Sequence, residues 1–363
     1  MEELEYSTSD FGLYQFSEII MAAYINYIAN YLPEQIRTNK DISQRHPEWS
    51  VEKISLKVGI EQRHLAADDE TAGDMAYMAA DKLLNDYQIN RDEIDYIILC
   101  TQSPDYMLPS TACILQHRLE LPKRCGAFDF NLGCSGYVYG LGIAKGFIET
   151  GQAKRVLLLT AETYNKYISD EDKGNKTIFG DGATATLVTS ETFVDALNYE
   201  IGNFSFGTDG SGAESLIVRN GASRHPEKDG RDEYDEDNNF VRNDDHIYMD
   251  GKAIFNFTAF EVPKLVKETL SNNACTKEDI DLFVFHQANA YMLDTVRKRC
   301  GIDADKFFVD IKTVGNTVSN SIPIAMVKAD EQGVLQGSNK VLIAGFGVGL
   351  SMAAVILNKQ KNE

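Results

Sequence analysis

The chain has 363 residues, 43% of them hydrophobic and 25% charged, with a net charge of −20. That length suits about two domains or one large α/β unit, and no run of 18 apolar residues marks a membrane span. The acidic balance argues against nucleic acid as a partner, because phosphate recognition needs clustered Lys and Arg; an anionic substrate would need a local basic patch working against the global field.

The first twelve residues, MEELEYSTSDFG, are acidic and lack the basic-then-apolar order of an export signal, so a cytoplasmic location is expected. A helix is predicted over residues 70–87, ETAGDMAYMAADKLLNDY. Residues 92–102, DEIDYIILCTQ, follow with an acidic pair, Ile-Asp, four large apolar residues and a polar end at Gln. This reads as a strand apolar on both faces, as a parallel sheet requires. The six cysteines are Cys100, Cys113, Cys125, Cys134, Cys275 and Cys300. None forms a CxxC pair or a cluster with zinc spacing, so no metal is expected, and in a reducing compartment most should be buried thiols.

Cys134 stands apart. It lies between two glycines at the head of an apolar, glycine-rich helix in FDFNLGCSGYVYGLGIAKGFIETG, residues 128–151. Unpaired N–H groups at a helix start favour a thiolate and can bind an oxyanion on an attached acyl carbon. The glycines at 133, 136, 140, 142 and 146 keep the approach open. The pattern suits a nucleophile that holds a thioester.

A second buried strand, KRVLLLTAE, begins at Lys154, and both strands recur later. Residues 278–287, EDIDLFVFHQ, repeat the first and NKVLIAGFG from Asn339 repeats the second. Asp95 lies 61 residues before Val156, and Asp281 lies 60 before Val341. A shared offset of about 186 residues points to duplication of a whole α/β unit, with halves 1–195 and 196–363, each of mostly parallel strands covered by helices. Residues 224–245, RHPEKDGRDEYDEDNNFVRNDD, are polar and acidic and are expected to form a long solvated loop. A helix is expected over 253–273, AIFNFTAFEVPKLVKETLSNN. His286 follows at the end of a buried strand, the edge where open α/β sheets carry ligands. Asn316 sits in KTVGNTVSNSIPIAM, a polar turn ahead of an apolar helix. The other histidines, at 46, 64, 117, 225 and 246, lie in polar or charged settings.

Cys, His and Asn together serve two chemistries. In a cysteine protease, His deprotonates Cys and Asn orients His, but the duplicated α/β pattern and the absence of a protease cysteine signature argue against that use. The other use is thioester chemistry. Five segments carry the resemblance: LGCSGYVYGLGIA around Cys134, TIFGDGATATLV at 177–188, FHQAN at 285–289, GNTVSNSIP at 315–323 and LIAGFGVGLSMAAVIL at 342–357. NYLPEQIRTN and VGIEQRHLAADDET add weaker matches. Over nearly its whole length the chain resembles β-ketoacyl-acyl carrier protein synthase III, of the thiolase superfamily.

The resemblance implies a five-layered α-β-α-β-α sandwich of two duplicated halves, and a homodimer. Cys134 would take an acyl group from a coenzyme A or acyl carrier protein thioester. His286 and Asn316 would donate hydrogen bonds to a malonyl thioester as it loses carbon dioxide, and the enolate would attack acyl-Cys134. A second oxyanion site would use the backbone N–H of Cys134 and of Val348 in the FGVG turn. No metal or redox cofactor is implied. A same-fold transferase passing the acyl group to a hydroxyl or amine, and a non-catalytic subunit, are the alternatives.

The departures from the family concern the donor. Where its members stack an adenine between Trp and Arg, this chain has Lys53 and Lys57, with Trp49 out of register. Tyr291 replaces an Arg and Asn256 a Lys that aid carrier docking, while Arg297, Lys298 and Arg299 keep a reduced basic patch. Tyr106, Met107 and Leu108, in TQSPDYMLPSTA, are candidates for the floor of an acyl pocket near the subunit interface.

Overall fold

A computed structural model describes residues 21–360; the acidic N-terminus read above lies outside them. Ten strands form its main sheet: β1 (Tyr24–Tyr31), β2 (Tyr96–Cys100), β3 (Gly126–Phe130), β4 (Arg155–Glu162), β5 (Gly182–Thr189), β6 (Tyr199–Thr208), β7 (Leu282–Phe285), β8 (Phe307–Phe308), β9 (Lys340–Gly347) and β10 (Ser351–Lys359). The helices that matter to the site are α1 (Val51–Val58), α2 (Ala72–Asp86), α3 (Thr111–Arg118), α4 (Gly136–Glu149), α5 (Gly251–Asn272), α6 (Ala290–Arg299) and α7 (Ser321–Glu331).

The spatial order is β3-β2-β4-β5-β1-β6-β10-β9-β7-β8, which reads the same from either edge once each strand is matched to the one five later. The halves meet where β1 pairs with β6 through only Tyr24–Glu200 and Ile25–Tyr199. Strands with apolar side chains on both faces need cover on both faces, and the side chains alternate accordingly. On β4, Leu157 and Leu159 face α2 and α3, while Val156 and Leu158 face α4. Both halves share α4 and α7 as a central layer; α5 and α6 cover the far face of the second sheet. The result is the five-layered α-β-α-β-α sandwich.

The close approach of α4 to the sheet explains one of its glycines. A Cβ on Gly140 would lie 2.6 Å from Leu158 Cδ1.

Two expectations need correction. The halves are mixed rather than mostly parallel: β2 runs parallel to β3 and β4, but β5 is antiparallel to both β4 and β1. The second half repeats this, with β10 antiparallel to β9 and β6. Antiparallel neighbours need no crossover helix: β10 follows β9 after only residues 348–350, whereas residues 163–181, with two short helical turns, lie between β4 and β5. The acidic stretch 224–245 is largely exposed, as expected, yet it is not all loop. Glu233–Tyr234 pairs with Phe240–Arg242, and the Tyr234 and Phe240 rings meet edge to face at 6.1 Å. Two aromatic residues in an otherwise charged run are enough to close a short hairpin.

The repeated Ile-Asp has a structural origin. Asp95 Oδ2 accepts the N–H groups of Lys154 (2.7 Å) and Arg155 (3.1 Å) at the start of β4. Asp281 Oδ2 accepts those of Asn339 (2.8 Å) and Lys340 (3.0 Å) at the start of β9. Each carboxylate ties the entry of one parallel strand to the next and fixes their register. Asp95→Ala and Asp281→Ala are each expected to lower stability by about 1–3 kcal/mol, and to do so additively because they lie in different halves. Urea-unfolding midpoints of the two variants and their double check this; unchanged midpoints would refute it.

Candidate active site

The connection from the third strand of each half to its central helix carries a polar residue: Cys134 before α4 and Asn316 before α7. In the first half the chain turns at Gly133–Gly136, closed by the Gly136 N–H on the Gly133 carbonyl (2.8 Å). This leaves Cys134 beneath the end of β9. A Cβ on Gly347 would lie 2.7 Å from Cys134 Sγ, so only glycine leaves the sulfur its space. The sulfur lies within reach of the Val348 N–H and its own backbone N–H. The positive φ angles in that turn fall on Gly347 (157°) and Gly349 (139°), so Val348 keeps an ordinary backbone and can present its N–H despite its branched side chain.

His286 directly follows β7 and is 2% exposed. Its Nδ1 lies 2.7 Å from Ser321 Oγ, and that oxygen also accepts the Gln287 N–H at 3.3 Å. In the tautomer in which the Ser321 hydroxyl donates to Nδ1, the ring proton sits on Nε2.

Asn316 is stitched to the first half. Its N–H donates to the Ile178 carbonyl (2.9 Å) and its carbonyl accepts the Gly180 N–H (3.0 Å). Its Oδ1 accepts the Val318 N–H at 2.9 Å, which leaves the amide nitrogen as the free end of the side chain. Val318 reaches this position with φ +57°, unusual for a branched residue. The following residues hold it there: the Ser319 hydroxyl donates to Glu162 Oε1 (2.9 Å), and Asn320 Nδ2 donates to the Gly182 carbonyl (2.9 Å). Glu162, at the end of β4, also accepts the Gln102 N–H (3.0 Å) and the Ser103 hydroxyl (3.3 Å). Sequence reading passed over Glu162, Ser319 and Ser321. The two serines lie inside a quoted motif, but nothing local shows what they face.

Cys134, His286 and Asn316 line one pocket of about 130 Å³, whose other walls include Phe179, Leu216, Ile254, Thr258, Met292 and Phe346. An outer cleft of about 390 Å³ adjoins it, with Ile178, Met249 and Gly251 common to both. Trp49 and Lys57 line the cleft. Trp49, Lys53 and Lys57 are spaced four apart, so α1 and its entry put them on one side; Lys57 Nζ is 4.7 Å and Lys53 Nζ 5.7 Å from the Trp49 ring centre. Lys173 reaches the same ring at 5.8 Å while paired with Glu48. Phe240 and Val241 of the acidic hairpin form part of the wall.

Other expected residues lie apart. Arg297 donates to Asp294 and the Ile302 carbonyl, Lys298 pairs with Asp294, and Arg299 stacks on Phe260 at 4.6 Å. None of the three lines either cavity. Tyr106, Met107 and Leu108 do not line the Cys134 pocket of their own chain; they are 62%, 83% and 83% exposed.

The electrostatics reverse one expectation. Burial pushes the Cys134 thiol up to about 12, outweighing the lowering effect of the Val348 and Cys134 N–H groups. Burial lowers His286 to about 3 and raises Glu162 to about 8. The resting site therefore holds a thiol and a neutral imidazole. Because the thiol is raised, its thiolate fraction grows about tenfold per pH unit well beyond the range of an ordinary cysteine. Iodoacetamide labelling of Cys134, followed by peptide mass spectrometry, should accelerate steadily from pH 8 to pH 10. A plateau above pH 9 would contradict the burial argument.

Comparison with known proteins gives the family. Residues 128–210 match the description of 3-oxoacyl-[acyl-carrier-protein] synthase III, and residues 270–359 match that of its C-terminal part. The chain is 36% identical over 330 residues to the beta-ketoacyl-[acyl-carrier-protein] synthase III of Clostridium perfringens, covering 90% of this chain and 96% of that protein. A crystal structure of a 3-oxoacyl-(acyl-carrier-protein) synthase III matches with a TM-score of 0.89 at 47% identity, covering 93% of this chain and 99% of the other. A 3-oxoacyl-(acyl-carrier protein) synthase from Burkholderia xenovorans matches with a TM-score of 0.83 at 35% identity over 93% and 94%. Two duplicated halves, a cysteine at a helix mouth and relatives of this identity along nine-tenths of the chain lead to one conclusion: it belongs to the β-ketoacyl-acyl carrier protein synthase III family of acyltransferases.

Proposed function

We propose that this condensing acyltransferase works through Cys134, His286 and Asn316 in two stages. In the first, the Cys134 sulfur attacks an acyl thioester. A carbon–sulfur bond forms to Cys134, the bond to the donor sulfur breaks, and the cysteine proton leaves with the donor as its thiol. The N–H groups of Cys134 and Val348 hold the transient oxyanion. Because the resting thiol is protonated, those donors count most as charge moves from sulfur to oxygen.

In the second stage a malonyl thioester binds with its carbonyl oxygen toward His286 Nε2–H and the Asn316 amide. Its carboxylate leaves as carbon dioxide, and the bond electrons pass into an enolate held by those two donors. The enolate carbon attacks acyl-Cys134, and the cysteine departs to regain a proton from solvent, giving a β-ketoacyl thioester. A carboxamide cannot titrate and a buried imidazole near 3 stays neutral at pH 7, so both act as hydrogen-bond donors throughout. The convergence of all three side chains on one pocket carries this reading.

The donor is a coenzyme A or carrier-protein thioester whose arm enters by the cleft. Trp49, Lys53 and Lys57 would meet its nucleotide or phosphate, with Arg297, Lys298 and Arg299 outside the cleft for a carrier. A second copy of the chain, packing along the β3 edge, would give Tyr106, Met107 and Leu108 the cover they lack here and carry them toward its acyl pocket. The reaction draws only on thioesters, and a cytoplasmic setting supplies them.

Intact-mass spectrometry after incubation with a panel of acyl-coenzyme A and acyl-carrier thioesters should show one acyl group on the wild-type chain and none on Cys134→Ala. With malonyl thioester added, Asn316→Ala should release carbon dioxide about 10²–10³ times more slowly while still accepting the acyl group. Undiminished turnover in Asn316→Ala would instead favour acyl transfer to a hydroxyl or amine.

A further inference from the structure

One polar group in the pocket has no place in that scheme. Thr258 lies on α5, is 0% exposed, and lines the same pocket as Cys134, His286 and Asn316. Its hydroxyl has no hydrogen-bond partner among the described residues. A threonine inside a helix ordinarily bonds its hydroxyl back to the carbonyl four residues earlier. Thr269, three turns further along α5, does this with Leu265 at 2.8 Å. Thr258 does not, although the Ile254 carbonyl stands in the equivalent position. A buried hydroxyl left unpaired is costly, so it points to a partner that arrives with the ligand. Thr317 also carries an unpaired hydroxyl, but it does not line the pocket.

The helix says which part of a ligand reaches it. Gly251, Ile254 and Thr258 follow one another at spacings of three and four, so they share one face of α5. Gly251 lines both the outer cleft and the inner pocket, whereas Thr258 lines only the inner one. This face is a wall running from the cleft toward Cys134, about 10 Å long at the helical rise. A thioester arm entering by the cleft must pass along it. Every pantetheine-type thioester carries an amide two methylenes from its sulfur, which puts that amide just short of the reacting centre. Of the other residues lining the inner pocket, Leu216, Ile254, Met292 and Phe346 are apolar, and Asn289 already accepts the Met292 N–H with its Oδ1.

We propose that the Thr258 hydroxyl pairs with the amide nearest the sulfur of the incoming thioester, making Thr258 a substrate-recognition residue for pantetheine-type arms. A hydroxyl can accept from the amide N–H or donate to its carbonyl. The pairing sets how far the arm enters, and so places the thioester carbon opposite Cys134. The inference rests on the functional reading above and sharpens its account of the substrate.

The test compares two thioesters of whichever acyl group the panel leaves on Cys134: the N-acetylcysteamine thioester, which keeps this amide, and the S-propyl thioester, which lacks it. The rate constant kcat/KM for Cys134 acylation is followed by intact mass in wild type, Thr258→Val and Thr258→Ser. Valine matches threonine in shape and removes only the hydroxyl from an apolar wall, so folding is retained. Thr258→Val should lower kcat/KM for the N-acetylcysteamine thioester about tenfold and leave the S-propyl thioester within about twofold. Thr258→Ser should restore the first substrate. Equal losses on both thioesters, or no loss on either, would overturn the inference while leaving the functional reading intact. Absence of acyl-Cys134 from every donor of the panel would overturn the functional reading and the inference with it.

Discussion

The site depends on one short hydrogen bond between neighbours, from the Val318 N–H to Asn316 Oδ1. A carboxamide has an accepting end and a donating end of nearly the same shape. With the accepting end occupied, only the donating end is left for a ligand. The bond requires Val318 to hold a left-handed backbone, at a cost of order 1–3 kcal/mol for a residue of that type. Contacts across the molecule maintain it: Ser319 on Glu162 and Asn320 on the Gly182 carbonyl. The turn belongs to the second half of the chain and its anchors to the first. The duplicated architecture thus supplies the rigidity that the proposed enolate site needs.

The two halves contribute unlike chemistry from like positions. Both place a polar residue between the third strand and the central helix, Cys134 in one and Asn316 in the other. The difference at one pair of equivalent loops puts a thiol on one and a carboxamide on the other, the proposed nucleophile and hydrogen-bond donor, and the twofold relation of the halves brings them to a single pocket. Burial of the groups that line that pocket suppresses their ionisation. The thiol is raised and the imidazole lowered, so charge appears only as the reaction creates it.

At the entrance the balance is different. Trp49 stands beside three lysines, yet Lys173 is paired with Glu48, and the wall opposite is formed by a hairpin within an acidic segment. The basic cluster on α6 is largely engaged with Asp294. For a chain of net charge −20, attraction of the proposed anionic donor would rest on Lys57 at the cleft and Lys53 beside Trp49 rather than on a broad field.

The sequence by itself determined the parts whose causes are local. Buried strands read as apolar runs, and the repeat of Asp95 and Asp281 ahead of them exposed the duplication because each carboxylate caps its neighbouring strand. Cys134, His286 and Asn316 were visible as residues at strand ends and helix mouths within recognisable motifs. What depended on contacts between distant segments was legible only in the tertiary structure. The antiparallel pairing of β5 with β1, the meeting of Lys173 with Trp49 and the seat of the acidic hairpin at the cleft are pairings that no local pattern encodes. Glu162 and Thr258 look ordinary in the chain. One is distinguished by lying beneath a turn from the other half, the other by facing a pocket where its hydroxyl has no partner among the described residues. The same holds for the resting thiol, since a helix mouth can be read from sequence but the depth of burial that outweighs it cannot.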